Sequence, residues 1–205
     1  MLENREYMKK AREQLKGKWT NAVLITLLYF IIVGAAGSIS KVGWLISLVI
    51  TGPIMLGYYS FFIGIARNEN IKLEILFQYF SRFSQAFVTY ILMVIIVLLW
   101  TLLLIVPGII AALGYSQTFF LLTEDENIRG MEAIRESKDM MMGQKWKLFC
   151  LFMRFLGWIV LGILSLGIGF LWVGPYIMTS AANFYIDLKN RNQNNAAGEV
   201  VKNAA

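Results

Sequence analysis

The sequence predicts an all-α membrane protein of six transmembrane helices arranged as three hairpins. Amphipathic cytoplasmic helices are expected before the first and fifth spans. Three observations carry that expectation. The first is where charge is missing. The chain has 205 residues, 58% hydrophobic and 16% charged, against about 25% charged in an ordinary soluble domain. No ionisable residue other than Tyr lies between Lys18 and Lys41, between Lys41 and Arg67, or between Arg82 and Glu124. From Lys147 to Asp187 only Arg154 and the Cys150 thiol intervene. A helix needs roughly 20 apolar residues to cross a hydrocarbon core, and a soluble fold would lack the polar surface to cover four such runs. The second observation is that the only prolines, Pro53, Pro107 and Pro175, each fall at a turn or in the second helix of a hairpin. The third is the uneven placement of Lys and Arg along the chain.

Residues 1–20 read as a basic amphipathic helix. Met8, Ala11, Leu15 and Trp19 share one face at helical spacing, and Lys9, Lys10, Arg12, Glu13, Lys16 and Lys18 occupy the rest. The helix lies along a membrane surface with its stripe in the headgroup boundary, or it is a solvated lead-in to the first span. Span one covers about Asn21–Gly37; the small residues Gly34-Ala-Ala-Gly-Ser38 also look like a cleavage site, but the preceding segment is long and helically patterned, so an uncleaved span is expected. Lys41-Val-Gly-Trp44 turns the chain into span two, Trp44–Ala66, where Gly52-Pro53 should kink the helix. Gly57, Ser60 and Gly64 after it permit close helix approach.

Arg67–Gln85 is a polar connection carrying the aromatic patch Phe77-Gln-Tyr-Phe80 beside Arg82, which suits an interfacial helix. The uncharged run Phe83–Thr123 is long enough for two spans, about Ser84–Leu103 and Val106–Leu122, with the break near Leu103–Gly108, where Pro107-Gly108 is the turn signal. Tyr115, Ser116, Gln117 and Thr118 either hydrogen-bond between helices or line a cavity. Asn127 or Asp125 is the expected cap of a helix with Ile128, Met131 and Ile134 on its apolar side, ended by Gly143. Spans five and six share Lys147–Leu188 and turn near Ser165–Gly169. Residues 1–190 thus form a single integral membrane domain, and the Asn- and Ala-rich tail 191–205 is expected to be disordered.

Part of the chain repeats itself. Gly17-Lys-Trp19, an apolar run, Gly52-Pro53 and Phe62-Ile-Gly-Ile-Ala-Arg-Asn68 return as Gly143-Gln-Lys-Trp146, an apolar run, Gly174-Pro175 and Phe184-Tyr-Ile-Asp-Leu-Lys-Asn190. Proline to closing Asn is 15 residues in both, and a basic residue precedes that Asn in both. The pattern suggests an internal duplication, with 11–68 resembling 135–190 in the same orientation. Sidedness follows from the cations. Six Lys or Arg precede the first span, three lie in the second-to-third connection, five in the fourth-to-fifth and three in the tail, against Lys41 alone on the opposite side. Positive charge marks the cytoplasmic side, so both termini are expected inside a bacterial inner membrane. Lys18, Trp19, Lys145 and Trp146 then pair headgroup cations with interfacial indoles.

Groups for chemistry are sparse. There is no His, no glycine-rich phosphate loop and no carboxylate pair within a span, so no catalytic residue, metal ligand or cofactor is expected. Cys150 can make no internal disulfide and reads as a buried thiol. Glu124-Asp-Glu126 either binds a divalent cation or partners a helix dipole. Arg154 is the exception, a charge inside an apolar segment. It is expected to reach the cytoplasmic interface and meet Asp187, or to snorkel to a lipid phosphate.

Several motifs taken together resemble a known family. They are Ala11-Arg-Glu-Gln-Leu-Lys-Gly-Lys-Trp19, Gly52-Pro53 with Gly57-Tyr58, Ile105-Val-Pro-Gly-Ile109, Ala133-Ile-Arg-Glu-Ser137, Gly157-Trp158 and Leu166-Gly-Ile-Gly169 with Pro175-Tyr176. The set resembles a family of small integral membrane proteins of unknown function, common in Gram-positive bacteria. More distantly it is similar to the membrane domain attached to some glycerophosphodiester phosphodiesterases, whose chemistry lies in a separate soluble domain. The resemblance implies a six-helix inner-membrane protein and carries over no catalytic residue; Arg154 departs from the apolar or small polar residue expected there. The function expected is non-enzymatic: binding of lipid, anionic lipids foremost, or of a membrane protein partner or second copy, with no nucleic acid. The alternative is a transporter or channel for a small solute, lipid or peptide, in envelope stress or self-protection, although the spans offer few polar groups for a route.

Overall fold

A computed structural model describes residues 1–38 and 43–204. Among these the secondary structure is wholly helical: α1 (Asn4–Leu15), α2 (Trp19–Ser38), α3 (Gly43–Ala66), α4 (Ile75–Gln78), α5 (Phe83–Leu103), α6 (Ile105–Tyr115), α7 (Thr118–Glu124), α8 (Gly130–Met140), α9 (Lys145–Arg154), α10 (Leu156–Leu164) and α11 (Phe170–Ala204). A 3-10 turn, Tyr79–Arg82, joins α4 to α5. The turn expected at Lys41-Val-Gly-Trp44 lies largely outside the described residues.

Three helical stretches are long and apolar enough to cross a membrane on their own: Leu45–Ala66, Ile75–Leu103 and Ile105–Glu124. The number rises to five if α1 with α2, bent by 100°, and α9 with α10, bent by 40°, are each taken as one broken span. The expected span six, the front of α11, is not among them; Asn183, Asp187 and Lys189 interrupt its apolar character.

The core is built around α3, which packs against α2, α4, α5, α7 and α11. Phe61 and Phe62 of α3, Phe119 and Phe120 of α7, and Phe184 and Tyr185 of α11 are all fully buried. Rings interlock across the elements: Phe120 stacks on Tyr185 with centroids 5.1 Å apart and meets Tyr59 at 4.6 Å. Burying such side chains stabilises by about 1.5–3 kcal/mol each. Gly57 allows α4 to lie directly on α3, because a Cβ there would sit 2.6 Å from the Leu76 carbonyl oxygen. Ser60, one turn on, meets the Tyr79 hydroxyl at 2.9 Å.

Both glycines of the repeated Gly…Lys-Trp pattern adopt left-handed backbone, Gly17 at φ 76° and Gly143 at φ 72°. A residue with a Cβ is strained there. Each ends a charged surface helix (α1 or α8) and redirects the chain into an apolar one. Pro53 sits inside α3 and Pro175 inside α11, and Thr179 donates to the Pro175 carbonyl at 2.8 Å. Pro107 lies in the first turn of α6, and the chain turns at extended Leu104, within the expected Leu103–Gly108 break. In that first turn a backbone N–H has no intrahelical partner, so proline loses nothing.

Several expectations are corrected. Span four stands as one apolar stretch, Ile105–Glu124, but it is interrupted at Ser116-Gln117 between α6 and α7. The polar residues bond locally there, Ser116 to the Leu113 carbonyl and Thr118 to the Tyr115 carbonyl. Buried Ser137 of α8 accepts from the freed Gln117 N–H at 3.1 Å and donates to the Gly114 carbonyl at 2.9 Å. Span five is likewise broken, at Phe155. Arg129, not Asn127 or Asp125, is the N-cap of α8, since Asp125 spends its carboxylate on the Asn127 N–H. The buried face of α8 is Ala133, Ile134, Ser137 and Met140, while Met131 is exposed. Cys150 is only half-buried. The segment expected to be a disordered tail continues α11 as helix to Ala204; extending a nucleated helix is far easier than starting one.

The face of α1 is also turned by about one residue. Tyr7, Ala11, Gln14 and Leu15 are buried, with Met8 and Trp19 half-buried. That stripe packs into the protein, chiefly on α11, rather than into headgroups. What α1 shows outward is mixed but mainly basic: Arg5, Lys9, Lys10 and Arg12, with Lys16 just past its end, against Glu6 and Glu13.

Candidate functional site

Charged groups gather at one end of the bundle, where α1, α8, the α3–α4 connection and the second half of α11 meet. The organising residue is Glu124, the last of α7, whose side chain is only 8% exposed. Arg67, just past α3, pairs with one of its oxygens. Lys189 of α11 pairs with the other, to which the buried Tyr185 hydroxyl also donates at 2.7 Å. A buried carboxylate is tolerable only when paired and hydrogen-bonded, and this one is saturated. Arg67 and Lys189 are the two basic residues preceding the repeated Asn, each 14 residues after its proline. The two matching sequence stretches therefore each bring one cation to a single acid between them. Beside the cluster is a cavity of about 350 Å³ with a largely polar lining that includes Ser60, Glu69, Thr123 and the ion-pair residues themselves.

A second lock holds α1 in place. Fully buried Tyr7 donates to Asp187 of α11 at 2.5 Å, and the Leu2 N–H reaches the same oxygen at 2.8 Å. Burial, then the Asp187 hydrogen bond and charge, push the Tyr7 hydroxyl far above its ordinary value; removing its proton would set two anions in contact. Deeper, Gln14 donates to the Ala66 carbonyl at 2.6 Å and accepts from Asn183 at 2.6 Å, tying α1 to α3 and α11.

The residues singled out in the sequence fall as follows. Asp187 does not pair with Arg154, since Tyr7 and Leu2 take its carboxylate. Arg154 ends α9 at the 40° bend, exposed, with no ion pair among the described residues. Lys18 donates to the Glu69 carbonyl at 2.8 Å, fastening the start of α2 to the α3–α4 connection. Trp19 and Lys145 are half-buried, and Lys145 lies over Gly114 of α6. Trp146 is 73% exposed and stacks on Phe149. Glu124 has its oxygens taken by Arg67, Lys189 and Tyr185, and among the described residues no three His, Cys, Asp or Glu side chains gather as a metal site would need. Arg82 instead secures that run, donating to the Leu122, Asp125 and Glu126 carbonyls.

Sequence reasoning missed Glu124 as an acceptor and Tyr7 as a lock. The signal for Glu124 was in hand: two repeat-equivalent cations at the ends of apolar helices require an acid, and Glu124 closes the one uncharged run that ends in acids. Tyr7 carried no comparable signal, because a tyrosine on a charged helix can as easily face outward.

Away from this end the surface is apolar. Leu98, Leu102, Leu103, Leu164 and Leu166 are 62%, 83%, 70%, 73% and 94% exposed, a wall that water would not tolerate at such extent. Fold and site define a class: a helical bundle of membrane type, apolar along its walls and knit at one end by buried charge. The chain belongs to the family described as protein of unknown function (DUF975), whose family model matches residues 1–113 and 101–192. No curated protein and no solved structure matches it.

Proposed function

We propose that this is a non-enzymatic multi-pass protein of a bacterial cell membrane that binds anionic lipid through its charged end. One observation carries the reading. α1 turns 100° from α2, commits its apolar face to the protein, and leaves Arg5, Lys9, Lys10, Arg12 and the adjoining Lys16 outward, outnumbering the exposed Glu6 and Glu13, in the plane where headgroups would lie. Each such cation contributes about 1 kcal/mol of attraction to an anionic surface. In this reading the six apolar stretches cross as three hairpins, with α2, α9–α10 and α11 completing the set and both termini cytoplasmic. The outward Phe77, Phe80 and Trp146 suit the aromatic belt at that interface, and Arg154, with no ion pair among the described residues, reaches for lipid phosphate. Shared geometry at Gly17 and Gly143 supports the duplication of 11–68 and 135–190. A distant resemblance to a membrane domain whose attached enzyme is separate is consistent with this non-enzymatic reading.

The test is co-purification. The protein extracted in mild detergent should carry anionic lipids enriched over their share of the source membrane, by mass spectrometry, and proteoliposomes should show no solute flux above empty vesicles. Specific uptake, or retained lipid matching the bulk composition, would overturn the reading.

A further inference from the structure

Where the α1–α2 corner meets α10 and α11, the wall of the bundle holds a lateral groove of about 470 Å³, within the range of small-molecule sites. Trp158 and Leu161 of α10, Trp172 and Tyr176 of α11, and Trp19 form its sides, and Arg12 stands at one end. Arg12 is the one charged residue on the lining, and no carboxylate pairs with it among the described residues. Trp158, Leu161 and Trp172 are 50%, 58% and 51% exposed, and Trp158 meets Tyr176 edge-on at 6.4 Å. The groove runs from Arg12, at the charged end, toward Ser165 and Gly169 at the α10–α11 turn. Gly169 and Tyr176 are separated by about 10 Å of helix.

We propose that this groove holds one anionic phospholipid, its phosphate on the Arg12 guanidinium and one acyl chain along the aromatic wall. The inference rests on the lipid-binding reading above and gives it a defined site. Charge complementarity selects the occupant: a single cation at the headgroup level, opening into carbon, matches an amphiphile with an anionic head and a hydrocarbon tail. Arginine's planar fork suits phosphate oxygens bidentately. The site faces sideways, so a lipid enters from the bilayer without leaving it.

Native mass spectrometry tests the proposal on the full chain, in micelles holding equal phosphatidylglycerol and phosphatidylcholine with matched acyl chains. One lipid should be retained, with phosphatidylglycerol favoured about fivefold, roughly what one cation at an anionic surface supplies. Arg12→Gln should bring that preference close to one while leaving the thermal midpoint in place. Leu161→Trp, which fills the groove from an exposed position, should lower occupancy by both lipids. Lys9→Gln with Lys10→Gln, on the outer face of α1, should lower the phosphatidylglycerol preference less than Arg12→Gln does. An unchanged preference in Arg12→Gln, or unchanged occupancy in Leu161→Trp, overturns the groove. Loss of preference only in the Lys9/Lys10 variant also overturns it while the surface reading stands. No anionic preference in the unaltered protein defeats both. A dimer that Leu161→Trp dissociates, with no lipid retained, would make a second copy the occupant and equally refute the proposal.

Discussion

Replacing Glu124 by alanine is the sharpest test of what holds the charged end together. The substitution removes three contacts. The hydrogen bond from buried Tyr185 to a carboxylate belongs to the class that contributes about 1.5–3 kcal/mol. Arg67 and Lys189 are 43% and 35% exposed, so water screens them and each pair contributes only about 0.2–1 kcal/mol. The loss should come to about 3 kcal/mol, which for a chain of this size lowers the melting midpoint by roughly 6–12 °C. Glu124→Gln keeps an acceptor for Tyr185 at neutral strength, about 1 kcal/mol, and should fall between wild type and alanine. Arg67→Gln or Lys189→Gln alone should lower the midpoint by no more than roughly 2–4 °C. The assay is thermal unfolding in detergent, followed by labelling of the chain's single thiol, Cys150, with a fluorogenic maleimide. A shift below about 2 °C for Glu124→Ala would refute the buried-acceptor argument, being less than a single kcal/mol predicts. So would an Arg67→Gln effect as large as that of Glu124→Ala, because it would place the energy in one exposed pair.

Two further outcomes follow from the geometry. Tyr7→Phe deletes the 2.5 Å bond to Asp187 and should loosen α1 by about 1.4 kcal/mol, a tenfold faster amide exchange across residues 4–15. Because the folded Tyr7 hydroxyl titrates above its ordinary value of 10.0, its advantage over Phe is full below pH 10 and shrinks above it, as the unfolded tyrosine ionises first; a gap that widens with alkaline pH would reverse the assignment. Gly57→Ala puts a Cβ 2.6 Å from the Leu76 carbonyl and should destabilise by about 1–3 kcal/mol through overpacking. Gly157→Ala, with nothing within 4 Å, should be neutral or slightly stabilising by helix propensity; equal losses at the two positions would show that no close approach exists.

How much of this was legible in the sequence depended on the range of the interaction. The boundaries of α2, α3 and α5 lie within two residues of those expected, because Lys or Arg marks the ends of the first two and the start of α5, and span length sets where α5 stops. Breaks inside apolar runs were less visible. The α6–α7 break depends on Ser137, twenty residues later in the chain, supplying the partners that Gln117 and Gly114 lose, and no local pattern announces that. Helix faces erred for a related reason. Counting only apolar residues put Met8 and Met131 inward, whereas the structure buries Tyr7, Gln14 and Ser137, whose polar atoms are satisfied across helices. Periodicity sees hydrophobicity but cannot see a hydrogen-bond partner. Arg154 misled in the opposite direction: its isolation drew a pairing with the nearest conspicuous acid, when Asp187 was already engaged by α1.

The Glu124 cluster also bears on how this end is held. One carboxylate serves two cations and a neutral hydroxyl, so the cluster satisfies its one buried acid with a single side chain. Each added buried acid must be desolvated and hydrogen-bonded in turn, and the neighbouring carboxylates, Glu69 and Glu136, stay at the exposed edge. With a single acceptor shared between the ends of α3 and α11, the repeat-equivalent helices are joined at lowest desolvation, and Lys9, Lys10, Arg12 and Lys16 stand outward on and just past the adjoining helix. A layer built this way is rigid beneath and cationic outward. Those are the two properties that a fixed binding surface for anionic headgroups requires, because ordering costs are then met in folding rather than on contact.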